Sequence, residues 1–113
     1  MAHTLLNAAT ATGAGSTQKV SMIPSSHTVA ATMGGTVVAT AVTVDLEGSL
    51  DDSTWFTLAS HAFTAGEITA EAAMFHVADK PVRYVRANLT TLTGGTDPTV
   101  TVLYEPVVLD RNG

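Results

Sequence analysis

Apolar and polar side chains alternate every second residue along much of this chain, and that alternation constrains its fold more than any other feature. It is clearest over residues 42–58, VTVDLEGSLDDSTWFTL. Val42, Val44 and Leu46 share one face, and Thr43, Asp45 and Glu47 share the other. This is the pattern of a strand packed on one side and wet on the other. It breaks at Gly48-Ser49, passes through the polar turn Leu50-Asp51-Asp52-Ser53-Thr54, and resumes at Trp55-Phe56-Thr57-Leu58. The stretch therefore predicts a hairpin, with the only tryptophan of the chain where the turn hands back to the sheet.

Similar segments lie on both sides. Residues 18–23 predict a strand stopped by Pro24. Residues 27–33 predict a second, with His27, Val29, Ala31 and Met33 on one face. Gly34-Gly35 signals a turn, and residues 36–47 read as the longest strand, with Val38, Val42, Val44 and Leu46 aligned and Thr40 interrupting them. Phe75 to Val77 reads as a short strand ended by Asp79-Lys80-Pro81. Residues 82–89 place Val85, Ala87 and Leu89 inward, with Tyr84, Arg86 and Asn88 opposite. After a Gly-rich turn, residues 99–105 alternate Val100, Val102 and Tyr104 against Thr99, Thr101 and Leu103. One place admits a helix: Ile68, Ala72 and Phe75 fall at i, i+4 and i+7. The same run, through Thr64-Ala65-Gly66-Glu67, also suits a turn, so any helix is expected to be short and near residues 69–74.

Seven or so short strands without a βαβ rhythm predict an all-β fold, a two-sheet antiparallel β-sandwich or jelly roll. Residues 17–106 form that domain in this reading. Residues 1–16, rich in Ala, Thr and Gly, read as a flexible N-terminal arm, and residues 107–113 as a C-terminal tail. With 113 residues the chain can bury roughly 65% of the surface it exposes when unfolded, enough for one core. It contains no cysteine, so disulfides and thiolate metal sites play no part.

Only 13% of the residues are charged, about half the usual share. The surface must then be largely Thr, Ser, Ala and Gly. Neutral surface is cheaper to desolvate than charged surface, which suits a protein packed against others. Long, weakly charged strands leave edges and faces that need covering, so a homo-oligomer, trimer or dimer, is expected. The net charge of −5 and five scattered basic residues offer no footprint for nucleic acid. No window approaches the roughly 18 apolar residues that span a bilayer, so no membrane partner is expected. The opening MAHTLLNAATATG has no basic n-region or continuous apolar core and is not read as a signal peptide.

Chemical motifs are few. Asp45, Glu47, Asp51 and Asp52 could offer oxygens to calcium, but they lack EF-hand spacing and read equally as a wet strand face followed by an Asp-rich turn. His3, His27, His61 and His76 have no zinc-site spacing. There is no G-x-S-x-G elbow, P-loop or G-x-G-x-x-G. No enzyme activity, catalytic residue, cofactor or metal is expected. The Asn88-Leu89-Thr90 sequon carries no weight without a secretion signal. Arg83 and Arg86 fall on opposite faces of their strand and form no patch. Trp55 and Phe56, adjacent in a strand, should point to opposite faces, one into the core and one available as a sugar platform or a partner anchor; the alternative is that both are covered. Leu5 and Leu6 are the apolar anchors of the expected arm.

The stretch LEGSLDDSTWFTL from Leu46, followed by KPVRYVRANLTTLTGGTDPTVTVLY from Lys80, resembles small β-sandwich structural proteins of tailed bacteriophages. In these, a strand, Gly-Ser, an acidic turn, Trp and Leu precede a "Pro-Val-Arg-Tyr-Val-Arg" strand and a Gly-rich turn. They include capsid decoration or cement proteins and related neck and tail proteins. The resemblance covers residues 42–104. It implies a non-enzymatic virion protein, made in the host cytoplasm, that binds the major capsid protein or other virion proteins on the capsid surface and stabilises the shell. The interface residues it suggests are Leu5, Leu6, Trp55 and Phe56, the arm ordering on contact. A second resemblance, in the order Ser, Asp, Trp and then Arg-Tyr-Val-Arg, is to galactose-binding, discoidin-like jelly rolls, which implies a carbohydrate-binding module. Those modules are longer and commonly carry a cysteine pair that this chain lacks.

Overall fold

The computed structural model describes residues 3–20 and 26–107. Within these residues nine strands and one short helix follow in the order β1 (His3–Ala9), β2 (Gly13–Ala14), β3 (Gln18–Lys19), β4 (Ser26–Gly34), β5 (Ala41–Ser49), β6 (Phe56–Ala62), α1 (Ala65–Ala70), β7 (Ala72–Val77), β8 (Tyr84–Thr93) and β9 (Thr99–Val107). They form two antiparallel sheets. One has four strands in the order β1-β9-β4-β7; the other has five, β2-β8-β5-β6 with β3 also paired to β8. The protein is an all-β sandwich, as the alternation predicts.

The core lies where the alternation places it. His27, Val29, Ala31 and Met33 of β4 are buried, as are Val100, Val102 and Tyr104 of β9. Val42, Val44 and Leu46 of β5 and Val85, Ala87 and Leu89 of β8 meet them from the other sheet. β-branched side chains hold few rotamers and stack well on a pleated surface. Each buried valine contributes on the order of 1.5–3 kcal/mol relative to leaving it exposed.

The N-terminal arm is a correction. Residues 3–9 form an edge strand antiparallel to β9, and Leu5 and Leu6 are both buried in the core. Two adjacent residues can point inward only where the alternation fails, and the register of β1 slips between Thr4 and Leu6 and again before Ala9. The chain then crosses to the other sheet. The Ser16 amide donates to the Leu5 carbonyl (3.1 Å), and the Gly15 amide to the Ala87 carbonyl (2.8 Å). A side chain at Gly15 would place Cβ 2.0 Å from the Leu5 carbonyl oxygen, so glycine is needed there. Low propensity suggested an arm, but two leucines and a glycine make a strap that ties both sheets. The sandwich therefore starts at least at His3 rather than at residue 17. Val107 closes β9; the rest of the expected tail, residues 108–113, lies outside the described residues, as do residues 21–23 of the predicted first strand, of which Gln18–Lys19 pair with β8.

The strand predicted over residues 36–47 divides. β5 begins at Ala41, and residues 36–40 pack against the opposite Gly-rich turn. Val37 and Thr96 exchange both backbone hydrogen bonds (3.0 and 2.9 Å), and Gly35 sits against Asp97 with φ +111°. The Thr40 interruption marks the change of phase, since Ala39 rather than Val38 is buried. The helix also moves, to Ala65–Ala70, because Thr64 and Glu67 form a reciprocal capping box. Glu71 ends it in a left-handed conformation (φ 62°), and residues 72–77 pair with β4 as a strand.

Candidate interaction surfaces

The β5–β6 turn is built to hold its shape. Ser49, buried at the end of β5, accepts from the Asp51 and Asp52 amides through Oγ (3.2 and 3.0 Å) and donates to Asp51 Oδ1 (3.0 Å). The same Asp51 oxygen accepts from the Ser53 and Thr54 amides (3.0 and 2.8 Å). These bonds, those from Thr54 and Ser53 first, hold the Asp51 carboxyl below the usual carboxylate range. Either side of this turn, Leu50 and Phe56 are 69% and 66% exposed. A rigid polar turn therefore carries an apolar tip, a preorganised arrangement that lowers the ordering cost of binding.

Trp55 lies between tip and sheet. It is half-buried and precedes β6, and Phe56 is exposed, so the expectation that one of the two enters the core does not hold. Neither is core. The Arg86 guanidinium sits over the indole ring, 4.3 Å from its centroid, while Arg86 Nε donates to Glu47 Oε1 (2.6 Å). Asn88 Nδ2 donates to the other Glu47 oxygen (3.2 Å). Glu47, Arg86 and Asn88 come together because β5 and β8 pair antiparallel with Glu47 opposite Arg86 and Asp45 opposite Asn88. The outer face of the five-stranded sheet thus carries a bonded network of Glu47, Arg86 and Asn88, beside which the buried Asp45 Oδ1 has no hydrogen-bond partner among the described residues. Among the four interface residues that the sequence suggests, Leu5 and Leu6 are core, Trp55 is stacked, and Phe56 alone is fully displayed.

The other suggested clusters do not assemble. Asp45 and Glu47 lie on the sheet face and Asp51 wraps its own turn. His27 is in the core, where Nε2–H donates to the Lys80 carbonyl (2.8 Å). The carbonyl can only accept, so Nδ1 must accept from the Tyr104 hydroxyl (2.5 Å). Burial lowers the His27 pKa, against an opposing effect of the Lys80 bond, and pushes the Tyr104 phenol up. His61 lies at the seam between α1, β6 and β7. It bonds Glu67 (2.9 Å) and stacks on Phe75 (centroids 5.2 Å apart). His76 bonds Thr28 across the outer face of the four-stranded sheet (3.1 Å). Among the described residues no group of three or more His, Cys, Asp or Glu is placed to hold a metal ion. No helix among them is long and apolar enough to cross a membrane.

That outer face is the surface that reading the sequence missed. Register sets Met74, Ala30 and Leu103 side by side on β7, β4 and β9. Met74 is 60% and Leu103 39% exposed, and they flank a shallow depression of about 260 Å³. Its signal was present: Leu103 falls on the polar side of an alternating strand, and Met74 lies in the segment split between helix and turn.

No protein-family model matches the chain, and no curated protein sequence matches it. Its fold is similar to that of YomS, a protein derived from the SPBc2 prophage, with a TM-score of 0.58 and 13% identity over 93% of this chain and 92% of that one. PirA is more loosely similar, at a TM-score of 0.47 and 10% identity over 91% of each chain, a likeness too distant to argue from.

Proposed function

We propose that this protein is a bacteriophage structural protein without enzymatic activity, and that it binds the capsid shell as a decoration or cement protein. The apolar tip on its locked turn carries this reading. Leu50 and Phe56 stand out on a frame that Ser49 and Asp51 hold in place, as expected of an anchor that inserts into a partner's pocket. The sandwich shared with a prophage-derived protein along nearly the whole of both chains supports the phage setting. Reinforcing a shell requires binding energy across subunit boundaries and no reactive group. The carbohydrate reading loses support, because one face of Trp55 is taken by Arg86 and both Glu47 oxygens are engaged.

The test is co-sedimentation of the purified protein with shells of the encoding phage that lack it. The intact protein should pellet with the shells. A Leu50→Ser, Phe56→Ser double variant should remain in solution while keeping its β-sheet circular dichroism. If the intact protein does not pellet, the decoration role fails and a neck or tail position takes its place. Deleting residues 1–16 is not a usable test, since it would remove two core leucines.

A further inference from the structure

We propose that β1 is an exchangeable strand: in a dimer of this chain, residues 3–9 of each copy leave their own sandwich and pair with β9 of the other. This inference does not depend on the virion reading. The receiving surface and its occupant are both in view, since β1 already fills the place along β9. Leu5 and Leu6 enter the core there, 1% and 8% exposed. Exchange replaces these contacts with the same contacts between copies, and reciprocal exchange closes at two.

β1 can leave without opening the rest of the sandwich. It pairs with β9 alone, whereas β9 is held on both sides, by β1 and β4. Outside that ladder, the Ala8 amide donates to Thr101 Oγ1 (3.0 Å) and the Leu5 carbonyl accepts from the Ser16 amide (3.1 Å). Both bonds form again in the exchanged pair. From His3 to Ser16 the chain has no Asp, Glu, Lys or Arg. The strand therefore crosses between copies with no charge to desolvate, and two chains of net charge −5 meet through a neutral stretch.

The connection after β1 favours the exchange. Only residues 10–12 separate Ala9, at the end of β1, from Gly13, which pairs with β8 in the other sheet. Stacked sheets lie about 10 Å apart, and four peptide units reach at most about 14 Å. The chain must also reverse direction within them, so little slack is left. Strain shows beside this turn. Ala8 has φ 47°, in the left-handed region where Cβ crowds the carbonyl oxygen, and Gly13 has φ 143°. The register of β1 slips on both sides of Leu6. Residues 10–12 are exposed, so little packing holds the turn. In the exchanged pair they run extended from one copy into the other, and no reversal is needed. Short hinges under strain invite such swapping.

A cross-strand disulfide tests the proposal. Thr4 and Leu103 are partners across β1 and β9 and both are exposed. Antiparallel partners have Cα atoms about 4.5–5.5 Å apart, within disulfide reach, and the chain has no cysteine of its own. Thr4→Cys and Leu103→Cys single variants are incubated together at high concentration, oxidised, denatured and mapped by mass spectrometry. A disulfide between residues 4 and 103 should join two chains. Deleting Ala11 in both variants leaves three peptide units, which reach only about 10 Å and cannot span and reverse at once. That deletion should raise the linked fraction at least about tenfold, the factor equivalent to about 1.4 kcal/mol of added turn strain, with β-sheet circular dichroism kept. Inserting Gly-Gly-Gly after Ala11 should lower it by a similar factor. The absence of 4–103 links in the mixture would overturn the proposal. So would links between residue 103 of both chains alone, which would place the contact on the sheet face. A yield indifferent to hinge length would overturn it too, since chance collision has no hinge dependence.

Discussion

The two outer faces of this sandwich are made from the same alternating pattern and have opposite characters. On the five-stranded sheet, Glu47, Arg86 and Asn88 are bonded to one another and Arg86 covers Trp55. On the four-stranded sheet, Met74, Ala30 and Leu103 lie open in a row. Polar groups that already satisfy each other, as Glu47, Arg86 and Asn88 do, gain little from a partner and lose their own bonds if one displaces them. An apolar row such as Met74, Ala30 and Leu103 loses little on burial and gains by it. One face should therefore contribute to stability and the other to association, and substitutions should separate the two.

The largest stability effect belongs to the segment that joins the sheets. Leu5 is buried in β1, whose chain then crosses to β8. Leu5→Ala should destabilise the fold by about 2–5 kcal/mol, the range for truncating a buried leucine, measured by urea unfolding. A loss below about half a kcal/mol, the level of an ordinary surface change, would return residues 3–9 to the status of an arm and leave the two faces without a fixed relation.

Next comes the networked face. Glu47→Gln keeps the shape and removes the charge opposite Arg86, and should cost about 1–3 kcal/mol. Both groups are partly exposed, so solvent screening puts the loss toward the lower end. Trp55 fluorescence should shift as Arg86 loosens over the ring. An unchanged midpoint and spectrum would mean that the network is incidental.

A pH titration addresses the core between the faces. The folded-state pKa of His27 is lowered, chiefly by burial. The unfolded chain therefore binds the proton more readily, and stability falls as pH drops below the ordinary histidine value of about 6.5 and on through the lower folded-state pKa. A second loss should follow below the ordinary carboxylate range. There Asp51, held by the Thr54 and Ser53 amides, and Glu67, held by the Thr64 amide and His61, must be protonated. His27→Gln should remove the first phase and keep the second. A wild-type midpoint constant between about pH 7 and about 5 would remove the buried neutral imidazole from the account.

The sequence pattern carried the inner faces almost completely, because a one-residue slip in strands such as β4, β8 or β9 would expose an entire valine row. It misled where alternation fails. Leu5 and Leu6 are both buried through slips in register, and no local propensity encodes the partner strand β9 that produces them. The helix start was legible in Thr64-x-x-Glu67 as a capping box, but Ile68, Ala72 and Phe75 suggested a longer helical face that pairing with β4 overrides. Phe56 was visible as a candidate anchor. The row of Met74, Ala30 and Leu103 was not, since it comes from three segments brought level only by tertiary register.

The smallest effect on stability should be the most informative about the two surfaces that remain open. Met74 and Phe56 are both well over half exposed, so Met74→Ser and Phe56→Ser should each leave the unfolding free energy within about 0.5 kcal/mol of wild type. Their effects on association should nevertheless diverge. Met74 sits on the flat sheet face, so its replacement should reduce self-association and spare shell binding. Phe56 opens β6 beside the β5–β6 turn, so its replacement should reduce shell binding and spare self-association. Sedimentation equilibrium and shell co-sedimentation on the same two variants give a crossed design. If both variants lost both associations in parallel, the tip and the sheet face would form one continuous interface, and the division of labour between them would fail.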